Sequence, residues 1–303
     1  MGKILTITLL CCLLAAGCSV RDKKLEIETH RAQIDLWHLN RLNDLKSKNG
    51  WLNLAGLFWL NPGINSFGSD ETNDIVFPAG KMPAKAGYFL VNGGMVTLTP
   101  SDDADISING QRVKKETVVF HTDSARSIRQ SHGSLEWFII RRDDKIGIRL
   151  RDLESENVRN FTGIERFPTD YSWKVEAKFE RAKEGEKINI TNVLGQTAAQ
   201  DLAGTYVFEI DGKEQRLSAT QEGDELFIVF ADLTNGKETY PAGRFVYTDL
   251  PDSTTGSGFI DFNKAYNPPC AFTDFATCPL PPKENGLTVA VTAGEKNYSH
   301  HGK

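Results

Sequence analysis

Apolar residues recur at two spacings along the chain, and the change between them divides it. Over residues 25–48 they return every three or four positions, with Ile34, Trp37, Arg41 beside Leu42, and Leu45 on one side of a helical wheel. This spacing predicts a single amphipathic helix, ended by Asn49-Gly50. Its apolar face is expected to rest on the sheet that follows. From residue 51 the period falls to two. Met95-Val-Thr-Leu-Thr99, Asp105-Ile-Ser-Ile108, Trp137-Phe-Ile-Ile140 and Ile146-Gly-Ile-Arg-Leu150 are rich in β-branched and aromatic residues. Turn signals separate them, among them Asn61-Pro62-Gly63, Asn92-Gly93-Gly94, Asn109-Gly110 and Asp143-Asp144. The same alternation returns over 173–179, 187–193, 204–210, 213–219, 226–230, 244–247 and 287–292. The expected fold class is therefore mainly β: an N-terminal helix followed by two antiparallel sandwich- or barrel-like modules, covering 51–156 and 157–303.

The first residues follow a different logic. MGKILTITLLCCLLAAG, residues 1–17, has a lysine, then an apolar run of signal-peptide length, then small residues leading to Cys18. The order resembles the bacterial lipobox. That resemblance implies cleavage before Cys18, a diacylglycerol on its thiol and a further acyl chain on the new amine. Residues 18–50 then form a lipid tether and helix, and the membrane is a partner through that lipid. A plain signal peptide with an incidental cysteine is the blander reading. Ser19 stands where an aspartate would mark inner-membrane retention, so the expected place is the cell envelope, facing the periplasm, at the outer membrane rather than the inner.

Charge narrows the partners. The 303 residues carry a net charge of -5, with a sequence pI near 5.8 and mean hydropathy -0.36. Nothing in this balance supplies a basic footprint for nucleic acid, and no long apolar runs beyond the first suggest a multi-span membrane protein. No Gly-x-Ser-x-Gly elbow is present, and Gly256-x-Gly258 is too little for a phosphate loop, so no cofactor is expected.

Five cysteines occur: Cys11, Cys12, Cys18, Cys270 and Cys278. Export removes the first two and lipidation takes the third. In an oxidising compartment the remaining close pair is most simply a disulfide. Free thiols with a local role are a second reading. A metal site is a third, but none of His30, His38, His121, His132, His300 and His301 stands at ligand spacing from the pair, and no metal is expected.

The densest chemical segment runs from Asp232 to Glu295. Tyr240 and Arg244 lie in Thr-Tyr-Pro-Ala-Gly-Arg. Asp261, Asn263, Tyr266 and Asn267 lie in Asp-Phe-Asn-Lys-Ala-Tyr-Asn-Pro-Pro-Cys, and Glu295 ends Ala-Gly-Glu. The prolines fix φ and stiffen the loop, and stiff loops holding polar groups are how binding sites are preorganised. These seven residues are the ligand-binding candidates, for an unknown small or extended ligand. Three alternatives stand beside that one. Asp261 and the asparagines can bond loop backbone as Asx-turns. Arg244 can be the partner of a buried Asp261. Asp261 with Glu295 or Asp232 can form the carboxylate pair of an envelope hydrolase, Arg244 assisting. A structural envelope subunit is the remaining functional class.

These strings, taken together over about residues 50–296, resemble the family known as domain of unknown function 1684. The resemblance implies no reaction. The first module also resembles, loosely, the strand order of a forkhead-associated sandwich, through Gly63-Ile-Asn-Ser-Phe-Gly-Ser-Asp70, Asn73-Asp74-Ile75, Ile108-Asn-Gly110 and Arg151-Asp152. In that family an arginine after the glycine binds phosphothreonine. Here Ser69 follows Gly68, and phosphopeptide binding does not carry over.

Overall fold

The structure, a computed structural model, describes residues 2–123, 127–142 and 144–298, with side chains described from residue 22 onward. The side chains of the expected signal peptide and of Cys18 lie outside the described residues. The fold class is mainly β with an N-terminal helix, and nearly all strand pairs are antiparallel. Two compact units are present. The first comprises residues 44–162 with 272–276, and the second residues 2–43, 163–271 and the chain from 277 on.

The first unit contains two sheets. One orders Leu54–Trp59, Lys145–Asp152, Leu135–Arg142, Gln130–His132, Ser107–Ile108 and Gln111–Arg112. The other orders Ile75–Val76, Gly63–Gly68, Gly87–Asn92, Met95–Pro100 and Thr117–His121. Alternate residues point inward, so Trp137, Ile139, Ile148 and Leu150 meet Phe67, Phe89, Val96 and Leu98 in one core. Each such side chain contributes about 1.5–3 kcal/mol on burial. Asn109 and Gly110 turn the short hairpin of 107–112 with φ of 52° and 75°, the left-handed pair that a two-residue hairpin needs.

The second unit curls a six-stranded sheet towards closure. Its order is Arg244–Asp249, Glu225–Phe230, Lys213–Glu222, Gly204–Ile210, Lys174–Arg181 and Ser257–Asp261, and the two edge strands approach each other. Tyr206, Phe208, Leu217, Phe230, Ile260 and Phe262 fill the interior with Leu287, Val289, Val291 and Ala293. Lys187–Thr191 and Thr197–Asp201 form a separate hairpin.

Three expectations need correction. The helix is longer than 25–48, running Gly2–Lys46. Its inner face belongs to the second unit rather than to the sheet that follows it. The reason is polar: Asp35 and Arg41 find their opposite charges, and His30 a carboxylate partner, on residues 166–295, as described below. Finally, 287–292 is no strand. It keeps the period-two burial, with Leu287, Val289 and Val291 inside, but side chains supply much of its pairing. The Arg244 guanidinium donates to the carbonyls of Val291 (2.9 Å), Ala293 and Glu295 (3.3 Å). One side chain thus does the work of a partner strand, satisfying carbonyls that would otherwise be buried unpaired.

Candidate functional site: buried ion pairs beneath the N-terminal helix

Within the second unit the helix presents His30, Ile34, Trp37 and Arg41 inward, at the spacing of one helical face. His30 is 5% exposed, and its Nε2 donates to Asp261 Oδ2 at 2.7 Å. The Tyr171 ring meets it edge-on at 5.1 Å, and the Tyr171 hydroxyl donates to Glu26 one turn earlier on the helix. That bond to Glu26 raises the Tyr171 pKa, because it favours the protonated phenol. Asp261 also caps the short turn Phe262–Lys264. It accepts from the Asn263 backbone N–H at 3.1 Å and from Asn263 Nδ2 at 2.9 Å. Asn263 is itself fully occupied, donating to the Asp170 carbonyl and accepting from the Asp170 N–H.

Three turns further along the helix, Arg41 Nε donates to Glu295 Oε1 at 3.2 Å and its Nη2 to the Asn267 carbonyl at 3.0 Å. The same guanidinium lies 4.6 Å from the Tyr266 ring centre, a cation–π contact. Glu295 is 1% exposed, and its other oxygen accepts the Asn267 N–H at 2.7 Å. Burial raises its pKa, although Arg41 and the Asn267 N–H pull the other way. Gly294 makes this approach feasible. At φ 77°, with the place of a Cβ only 2.4 Å from the Ala265 carbonyl oxygen, no side chain fits there. Tyr266 stacks on Tyr247 with rings 6.3 Å apart, and burial raises the pKa of both.

Arg244 is not the partner of Asp261. Its Nη2 donates to Asp232 Oδ2 at 2.9 Å, with both side chains fully buried, and its two Nη groups also donate to the carbonyls of Val291, Ala293 and Glu295, while its Nε has no partner. Burial lowers the Arg244 pKa against the pull of Asp232. Asp232 also accepts from the Thr234 N–H and hydroxyl. Tyr240 enters this turn through its backbone, its carbonyl accepting from Asn235 Nδ2 at 2.8 Å and from the Gly243 N–H.

The seven candidates therefore fall into three groups. Asp261 and Asn263 meet His30, while Tyr266, Asn267 and Glu295 meet Arg41. Arg244 meets Asp232 beside the turn that holds Tyr240. Sequence reasoning passed over His30 and gave Arg41 only a place on the helical face. The available signal was their position: charged or titratable side chains sharing the spacing of Ile34 and Leu45, and so facing inward. Beside His30 an open groove is lined by Leu25, Thr29, Gln33, Tyr171 and Lys174. Cys270 and Cys278 are joined by a disulfide that closes a loop of sequence separation 8. Among the described residues no group of three or more His, Cys, Asp or Glu is placed to hold a metal.

The profile of the family described as "protein of unknown function (DUF1684)" matches residues 159–296. The chain is also 34% identical to an uncharacterized protein of Haloarcula marismortui with a solution NMR structure. That match covers 46% of this chain and 80% of the other, with a TM-score of 0.39. The chain belongs to the DUF1684 family. No curated protein matches it. The DUF1684 segment holds Asp232, Arg244, Asp261 and Glu295, whereas His30 and Arg41 come from outside it. What the arrangement does chemically is clasp a helix: two carboxylates of the DUF1684 segment take a histidine and an arginine offered three turns apart.

Proposed function

We propose that this protein is a lipid-anchored component of the cell envelope whose DUF1684 segment serves as a binding or scaffolding module rather than a hydrolase. The observation that carries this reading is the commitment of the three acids a hydrolase would draw on. Asp232 is held by Arg244, Asp261 by His30 and Asn263, and Glu295 by Arg41 and the Asn267 N–H. The Asp232 and Glu295 side chains are sealed from solvent, and Asp261, 13% exposed, has both oxygens engaged, so none is free to take a proton from a substrate. A raised carboxylate pKa is a common mark of a catalytic acid, but in Glu295 it belongs to a group 1% exposed. The groove beside His30 is an open surface on which an extended ligand would rest.

The anchor rests on the order of lysine, apolar run, small residues and Cys18. The acyl chains hold the module at the envelope, since the negative charge of the protein gives no attraction to anionic lipid. The test is metabolic labelling with palmitate in a bacterial host. The wild type takes up label and is processed, while Cys18→Ala stays unlabelled and unprocessed. Equal labelling of both overturns the anchor.

A further inference from the structure

Among the described residues of the first unit, Arg149 is a buried charge that its own surroundings do not explain. It lies in the middle of Lys145–Asp152, where Ile148 and Leu150 point into the core. Arg149 and Arg151 therefore share the opposite face. Arg149 is flanked across the sheet by Leu57 on one side and Phe138 on the other. It is only 7% exposed, yet among the described residues its side chain makes no hydrogen bond or ion pair, and its buried Nε has no partner.

The neighbouring charges are positive or already spent. Arg151 Nη1 donates to the Gly50 carbonyl and to Asn53 Oδ1. Glu136, the cross-strand partner of Arg151, is taken by Lys48 and by Arg129 at 2.9 Å. Burial and the nearby Arg142 charge lower the Arg149 pKa; burial, with Arg129 and Arg149, lowers that of Arg151 to about 10. Four arginines thus bear on one sheet face of a protein whose net charge is -5. A buried guanidinium without a counter-charge destabilises a fold. It becomes favourable when an anion completes it, because the planar fork of N–H donors matches two oxygens of a carboxylate or phosphate. Low-dielectric walls such as Leu57 and Phe138 strengthen that pairing.

We propose that the face of the first unit around Arg149, with Arg151 and Arg129 beside it, is a binding site for a small oxyanion, phosphate or carboxylate. Arg149 supplies the paired donors, and the other arginines supply the field that draws the anion in. This is separate from the acids of the second unit and does not depend on the lipid anchor.

The test compares thermal unfolding of the full-length wild type, Arg149→Met and Arg149→Lys, in chloride and in inorganic phosphate or acetate at matched ionic strength. Wild type gains several degrees with one of the two oxyanions, rising with its concentration as mass action requires. Arg149→Met unfolds at a higher temperature than wild type in chloride and no longer responds to the oxyanion. Arg149→Lys keeps the charge but loses the fork, and needs at least tenfold more oxyanion for the same shift. Three results would overturn the proposal: no specific oxyanion effect on wild type, an equal effect on all three proteins, or an Arg149→Met that is less stable in chloride or does not fold.

Discussion

Arg244 and Arg149 are both arginines sealed inside β-rich units, at 0% and 7% exposure. Arg244 has an aspartate and three carbonyls around it, while Arg149 has none of these. The difference separates two uses of a buried cation. In the second unit the guanidinium is structural: it replaces a strand, and its charge is matched by Asp232. In the first unit the guanidinium does nothing for its own sheet, and the fold bears the desolvation unaided. Burial alone does not distinguish a scaffold arginine from one kept for a ligand. The partner count does.

The sharpest way to test the structural half is to remove the acid. Asp232→Ala leaves Arg244 buried and uncompensated, and costs about 3–5 kcal/mol in urea unfolding. A cost under about 1 kcal/mol would show that the carbonyls alone suffice and would erase the contrast with Arg149. A smaller effect comes from the covalent link. Cys270→Ser opens a nine-residue ring and costs roughly 2–3 kcal/mol on the chain-entropy model, read as a lower urea midpoint under non-reducing conditions. No change in midpoint would mean that the packing of the loop already fixes it.

The smallest effect is a pH response of opposite sign in the two units. Burial opposes ionisation of Glu136 and Asp152 in the first unit. Lys48 and Arg129 outweigh it at Glu136, as Lys81 and Ser134 do at Asp152, and hold both below the ordinary carboxylate range. A lowered folded pKa gives stability that is present above the unfolded pKa and lost as pH falls through the folded one. Glu295 in the second unit is raised, so its contribution is present at low pH and lost as pH rises through its folded value. Hydrogen exchange followed from about pH 7 to about pH 3 should show protection of Leu135–Arg142 and Lys145–Asp152 falling, while that around Asn267 and Glu295 holds or rises. Parallel loss in both units would refute the assignment.

Much of this was readable from the chain alone, because strand alternation and turn chemistry are local. The period-two runs at 137–140, 146–150, 204–210 and 226–230 all lie within strands, and Asn109-Gly110 turns a hairpin as its residue types require. The pattern misled at 287–292, where alternation reports burial on one side but not what satisfies the backbone. No spacing rule announces that an arginine 47 residues earlier takes the carbonyl of Val291. His30 went unrecognised for the same reason. Its residue type and helical position were visible, but Asp261 is 231 residues away, and one sequence carries no sign of which carboxylate a buried histidine meets. Arg149 reads as an ordinary outward-facing strand residue, since its lack of partners is a property of the packed unit.

The helix clasp has a consequence in time. His30 and Asp261 stand 231 residues apart, and Arg41 and Glu295 stand 254 apart. A ribosome adding roughly 5–20 residues per second makes the helix first and reaches Glu295 about 10–50 s later. Throughout that interval Ile34 and Arg41 have no seat, and the helix is a ready substrate for a chaperone. A nascent chain that stops short of Glu295 holds every strand of the second unit but lacks the carboxylate that receives Arg41. Residues made 254 positions after Arg41 therefore decide whether its helix can dock.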